Sequence, residues 1–164
     1  MATQRRFEAM GEDIFKMVKK IQNNQKVLKL LKFTDSDPLN HPDLTQDEID
    51  EMLHKNIQIV PKLPDSYDEK MCYIVMILNT YDIAPNNQDF KTATVRFDVL
   101  CPMDRWVINA KTLRPYLIMS EIDSMFNEKN IAGIGNLSFE TARPLVVSPQ
   151  LAGYSLVYGH YEFN

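Results

Sequence analysis

Twelve residues, "VRFDVLCPMDRW" from Val95 to Trp106, gather the side chains of this sequence best suited to chemistry or recognition. They hold Arg96, Asp98, Cys101, a second acid–base pair in Asp104 and Arg105, and the chain's single tryptophan, Trp106. Two kinds of site use such residues. In one, a thiol attacks a substrate while a neighbouring base takes its proton and a third group orients that base; the candidates are Cys72 or Cys101 with His160. In the other, arginine, tryptophan and an acid near a strand end make a subunit contact, where arginine and the large aromatics carry much of the binding energy.

The enzyme reading finds little support in the residues. Both cysteines sit on the apolar face of predicted strands, where a free cysteine behaves as a small hydrophobe. Neither lies in a Cys-Gly or Gly-x-Ser-x-Gly setting. His41, His54 and His160 are far apart, with no His-x-x-x-His or Cys-x-x-Cys pair, so no metal is expected. "GIGN" (133–136) lacks the spacing of a phosphate loop and precedes a strand pattern rather than a helix, so it reads as a turn. "DSDPLNHPD" lacks the glutamate that closes a calcium loop at its twelfth position. No cofactor is expected. A small enzyme with a site folded together around Cys101 and His160 stays open as the alternative.

Charge and composition narrow the classes further. The chain has 164 residues, enough for one domain with a real core. It is 45% hydrophobic and 24% charged, close to the globular average. It has no apolar run of membrane-spanning length. "MATQRRFEAMGED" has no apolar segment behind its basic residues, so no secretory signal is expected, and the two cysteines are expected as free thiols in a reducing cytoplasm. The net charge of -4 and pI near 5.4 give none of the basic surplus that phosphate binding needs. The charge is uneven, however. "FKMVKKIQNNQKVLKLLK" is basic, and residues 35–51 are mostly acidic. These are either two solvated faces or two complementary patches that meet between copies of the chain.

The elements that must position these residues follow from periodicity. Phe7, Met10, Ile14, Met17, Val18 and Ile21 recur at helical spacing, and Val27, Leu28, Leu30 and Leu31 resume the pattern after "NNQ", which predicts one long helix or two with a break near Asn23 and Asn24. "TDSDPLNHPD" is loop. Thr45 and Glu48 form a capping-box pattern with Leu44 and Ile49 in the staple positions, opening a helix expected to stop near Asn56. A short strand "IQIV" and the loop "PKLPDSYDE" follow. "MCYIVMILNTYDI" reads as a central strand. "KTATVRFDVLC" alternates, with Ala93, Val95, Phe97, Val99 and Cys101 on one face and Thr92, Thr94, Arg96, Asp98 and Leu100 on the other. The two runs make a long antiparallel hairpin turning near Asn87, with Cys72 almost opposite Cys101. "LRPYLIMSEIDSMFNEKN" is helical, with Pro115 in its first turn. "LSFETARPLVV" and "GYSLVYGHYEF" form a second hairpin. The order α-α-(β)-β-β-α-β-β predicts an α+β domain, with a mostly antiparallel sheet of four to five strands and helices on one face.

For Arg96 and Asp98, which share a strand face, the readings are a solvated strand or an interface. Tyr73, Val75 and Ile77 on the partner strand look too apolar to meet water. Arg105, Trp106 and Arg114 extend the candidate interface. Tyr154, Tyr158, Tyr161 and Phe163 form either a second aromatic surface or the core of the sheet.

The whole order of elements, over about residues 5–163, resembles the tail terminator (tail-completion) proteins of long-tailed bacteriophages. The resemblance rests on the basic helix ending "VLKLLKF", the acidic proline-containing loop, the hairpin ending "FDVLCPMDRW", the helix "LRPYLIMSEIDSMF", the "GIGNL" turn and the last hairpin "GYSLVYGHYEF". A head-completion or connector-adaptor protein of the phage neck is similar in the same way. The resemblance implies a non-enzymatic virion protein, assembled in the host cytoplasm as a six-fold ring. Such a ring caps the tail tube, joins it to the head connector and lets DNA pass through its lumen without specific binding. Its partners would be further copies of itself, the tail tube protein and a head-completion or connector protein, with no membrane. An acidic chain suits a lumen that repels DNA. Ring closure needs two different patches on each copy, and the basic first helix and the acidic 35–51 segment are the pair the sequence offers.

Overall fold

A computed structural model describes residues 6–84, 87–131 and 134–161. The first helical pattern is two helices. α1 (Arg6–Gln22) buries Met17, Val18 and Ile21, and α2 (Gln25–Lys32) buries Val27, Leu28, Leu30 and Leu31. The break between them is chemical. The Asn24 side chain accepts a hydrogen bond from the Val27 N–H (3.2 Å) and so caps α2.

α3 (Gln46–Met52) opens with the expected capping box. Thr45 N–H donates to Glu48 Oε2 (2.9 Å) and Glu48 N–H to Thr45 Oγ1 (3.4 Å), with Leu44 and Ile49 buried beside it. α3 ends before Asn56 because His54 adopts a left-handed conformation (φ 65) and its N–H donates to Ile57 O (2.8 Å). That turn leads into β1 (Ile57–Gln58), a shorter strand than "IQIV" suggests.

β1 pairs in parallel with β2 (Tyr73–Ala84), which forms the long antiparallel hairpin with β3 (Asn87–Pro102); Pro85 and Asn86 of the expected turn lie outside the described residues. A two-stranded ribbon, β4 (Val107–Ile108) and β5 (Thr112–Leu113), precedes α4 (Arg114–Phe126), whose first turn holds Pro115. β6 (Lys129–Ile131), β7 (Gly135–Val146) and β8 (Leu151–Tyr161) follow. The protein is therefore α+β. Among the described residues its main sheet has six strands in the order β1-β2-β3-β8-β7-β6 and the ribbon has two, rather than four to five strands in all. The additional strands are two or three residues long, too short to show an alternation.

The helices cover one face of the sheet. Ile74, Met76, Val95, Phe97, Val99, Cys101, Leu156 and Tyr158 belong to one core with Met17, Ile21, Leu28, Leu31, Ile118, Ile122 and Phe126. Phe97 stacks on Phe126 (centroids 4.9 Å apart) and meets Tyr158 edge-on (5.8 Å). Tyr158 is thus core rather than surface, its hydroxyl donating to Asp123 Oδ1 (2.9 Å). On the opposite face a smaller cluster of Tyr73, Val75, Leu100 and Leu151 is covered by Tyr67, Met71, Leu145 and Val147. The chain itself supplies this cover, so the apolar Tyr73 and Val75 need no second subunit.

The basic and acidic segments also meet within one chain. Lys29 Nζ lies 2.7 Å from Asp43 Oδ1, and Lys32 Nζ 2.5 Å from Glu48 Oε1. Two lysines of the basic segment are thus paired within the chain rather than held for a neighbouring copy. Lys32 and the Thr45 N–H hold the Glu48 carboxyl down at about 2. A carboxyl whose folded value is depressed stabilises the fold above its unfolded value and loses that contribution as pH falls toward the folded one. The melting temperature should therefore decline between roughly pH 4.5 and pH 2. Glu48→Gln should flatten that part of the curve; an unchanged slope would show that Glu48 contributes nothing to it.

Candidate assembly interface

β3 places Arg96 and Asp98 on the face of the sheet away from the helices. Arg96 sits between Ile77 and Val157 in the ladder, and Asp98 between Val75 and Ser155. Arg96 Nε approaches Asp98 Oδ1 at 3.2 Å, and Ser155 Oγ–H donates to the same oxygen at 2.6 Å. Asp98 is 8% exposed, so of the pair Arg96 is the member that meets solvent. Burial raises the Tyr67 phenol, and the Asp98 charge adds to that rise. The pair thus marks the polar rim of the small cluster, where the covered part of this face gives way to the uncovered part.

Pro102 ends β3 and a 3-10 turn (Met103–Arg105) carries the chain to Trp106. The indole Nε1–H donates to Cys101 O (3.1 Å), which fixes the ring beside Tyr154 (centroids 6.5 Å apart), half-buried against the core. Arg105 is exposed, its Nε 3.6 Å from Asp104 Oδ2.

Arg114 departs from expectation: its exposure is 0%. Its Nε donates to Arg105 O (2.9 Å), Nη1 to Leu30 O (2.8 Å) and Phe33 O (2.7 Å), and Nη2 to Asp35 O (2.6 Å). Leu30 lies in the last turn of α2, where carbonyls lack helical partners and carry partial negative charge. Arg114 therefore gives no surface to a neighbour. It fastens the end of α2, the loop after it and the turn that carries Arg105 to the start of α4.

Of the residues that extend the surface around Trp106, the sequence marks only Tyr154, as part of the aromatic set on the last strand. Met103, Val107 (58% exposed) and Tyr116 are exposed, and the Tyr116 and Tyr154 hydroxyls lie 2.9 Å apart. Tyr154 pairs with Pro144, and Ala152 with Val146. β7 thus extends the helix-side face beyond the helices, leaving Val146 71% exposed. Aromatic side chains, methionine and arginine on an uncovered apolar surface are the composition of a protein contact. "LSFETARPLVV" shows a strand, but which side of it stays bare depends on how far α4 reaches. Phe163, the last of the expected aromatic set, lies outside the described residues.

The Cys101–His160 site does not form. Cys101 pairs with Ala152 and His160 with Ala93, eight residues away along β3, or about 26 Å at strand spacing. The His160 ring instead holds Asn136 O through Nδ1 (2.8 Å). Both thiols are free and buried. Burial, followed by the neighbouring Cys72 side chain, pushes the Cys101 thiol well above its ordinary range. Alkylation at pH 7.5 should be slow in the folded protein and rapid once denaturant exposes both thiols. Fast reaction of the native protein would restore the case for an activated thiolate. Among the described residues no cluster of three or more metal-ligating side chains occurs, and no helix is long and apolar enough to cross a membrane.

Fold and surface together define a small α+β protein with an aromatic, arginine-bearing patch beside an uncovered strand. The chain belongs to the YomW family, whose profile matches residues 24–159. This is a phage-derived family of Bacillus prophage type. No curated protein and no solved structure matches the chain.

Proposed function

We propose that this phage protein is a structural, non-enzymatic component of the virion neck: a ring, six-fold by resemblance, that terminates the tail tube and joins it to the head connector. The observation that carries the reading is the uncovered patch of Met103, Arg105, Trp106, Tyr116, Tyr154 and Val146 on a chain of phage descent. Its partners are further copies of itself, the tail tube protein and a head-completion or connector protein, and it resides in the virion after assembly in the host cytoplasm. DNA passes the ring without specific binding, in keeping with the net charge of -4. Arg96, at the edge of the uncovered sheet face, is the second candidate contact.

The test is co-sedimentation of the purified protein with tail tubes from a lysate that lacks it. Wild-type protein should pellet with the tubes and saturate at a small, fixed number of copies per tube. Trp106→Ala, which removes a half-buried aromatic at the centre of the patch, should weaken binding by about 2 kcal/mol or more, roughly thirtyfold. Equal binding by the variant would remove Trp106 from the contact. Saturation along the whole tube would contradict a role at its end.

A further inference from the structure

We propose that neighbouring copies join through their sheets, the β7 edge of one subunit pairing with the β2 edge of the next. The inference deepens the ring reading and rests on it. Among the described residues, β1 pairs only with Ile74 and Val75 of β2, and β6 only with Gly135, Asn136 and Leu137 of β7. The two longest outer strands are therefore uncovered by a strand partner over most of their length, on opposite sides of one sheet.

The hydrogen-bond pattern shows which backbone groups are available. Val147 N–H donates to Leu151 O, so by the antiparallel alternation Leu145 and Arg143 bond inward to β8. Ala142, Pro144 and Val146 turn their backbone groups outward. On β2, Ile74 N–H donates to Asn56 O, so Met76 and Leu78 also turn outward, the Met76 N–H toward Gln58 of β1 and Leu78 beyond its reach. None of these five residues is charged. Exposed edges in monomers are commonly guarded by charged side chains. Here the guards are Pro144, which lacks an N–H but keeps its carbonyl, and bulges between Phe139 and Thr141 and between Leu78 and Thr80. The Phe139 N–H is already held by Asn127 Oδ1 (2.9 Å), which confines the seam on β7 to Ala142–Val146.

Strand direction supplies the second argument. β2, β3, β8 and β7 are successive antiparallel neighbours. An even number of alternating strands leaves β7 antiparallel to the β2 of a copy placed beside it in the same orientation, so the sheet continues without a change of pattern. Joining two different edges is a heterologous contact, which propagates into a ring or a filament. Because β1 occupies the level of Ile74 and Val75, the incoming β7 must sit farther toward Ala84. That displacement gives the stagger a closed sheet requires.

Cross-linking the full-length chain tests the seam. Ala142→Cys on β7 and Leu78→Cys on β2 are made singly and together, and treated with a short bismaleimide at about 100 µM, alone and with tail tubes. Wild type, with its two cysteines buried, is the control. The double variant should give a ladder of dimers, trimers and larger species, and a mixture of the two single variants should stop at dimers. Adding Val146→Lys to the double variant should abolish the ladder while leaving circular dichroism unchanged, because Val146 is exposed. Dimers from Ala142→Cys alone would show that two β7 edges meet about a two-fold axis and would overturn the proposal. A double variant that binds tube ends but gives no ladder would overturn the seam and leave the ring reading standing; no ladder and no tube binding would remove both.

Discussion

Arg114→Met is expected to destabilise the protein by about 3 kcal/mol, because several buried carbonyls lose hydrogen bonds to a charged donor, each worth about 1.5–3 kcal/mol. The guanidinium is fully buried and donates to four backbone carbonyls. Methionine fills much of the space but donates nothing. The carbonyls of Leu30, Phe33, Asp35 and Arg105 would then lose their partner, and an unsatisfied buried acceptor costs about 1–3 kcal/mol before water or backbone movement relieves it. Arg114→Lys should cost less, about 2 kcal/mol, because one ammonium keeps the charge but lacks the planar fork that reaches separate acceptors. Urea unfolding of the three proteins checks the order. Equal stability of the methionine variant and wild type would show that the carbonyl cage contributes nothing net. The same variant should loosen the Met103–Arg105 turn, so any residual folded protein should bind tail tubes less well.

Gly153→Ala should have a comparable or larger effect. A Cβ built at Gly153 would lie 1.7 Å from Val99 O, a backbone atom of the neighbouring strand. β3 and β8 are the central strands of the six, so neither can move away without disturbing Val99 and Tyr154. The expected loss exceeds about 4 kcal/mol, at the extreme of single substitutions, and the variant should be recovered largely as insoluble protein. Gly11→Ala is the contrasting control. Nothing lies within 4 Å of the added carbon, and removing a glycine from the interior of α1 should stabilise the protein by about 0.5–1 kcal/mol. If Gly153→Ala melts like wild type, the close approach of β8 to β3 is not as described.

Much of the architecture could be read from the residues. Thr45 and Glu48 announced α3, the alternation from Ala93 to Cys101 announced which face of β3 meets the helices, and the cysteines were expected opposite one another. Other features depend on long-range partners. β6 and the β4–β5 ribbon are too short to leave a period. Tyr73 and Val75 looked like an interface because their cover, Tyr67 and Met71, comes from a loop without regular spacing. Arg114 looked like a surface arginine because its acceptors are backbone carbonyls, which every residue has and no motif reveals. Lys29 and Lys32 looked available to a neighbour because nothing in the sequence shows that the loop after α2 folds back to place Asp43 and Glu48 against them. Trp106 and Arg105 were legible by type alone. Tyr154 is legible as part of an aromatic set, but the exposed Tyr116 and Val146 beside it appear only when α4 is seen to leave β7 uncovered.

Negative-stain electron microscopy of tail tubes mixed with the purified protein tests the central claim most directly. A ring on the head-proximal end of each tube, with a countable rotational symmetry, is the predicted result. Bare tube ends, with the protein monomeric at every concentration, would contradict the terminator reading.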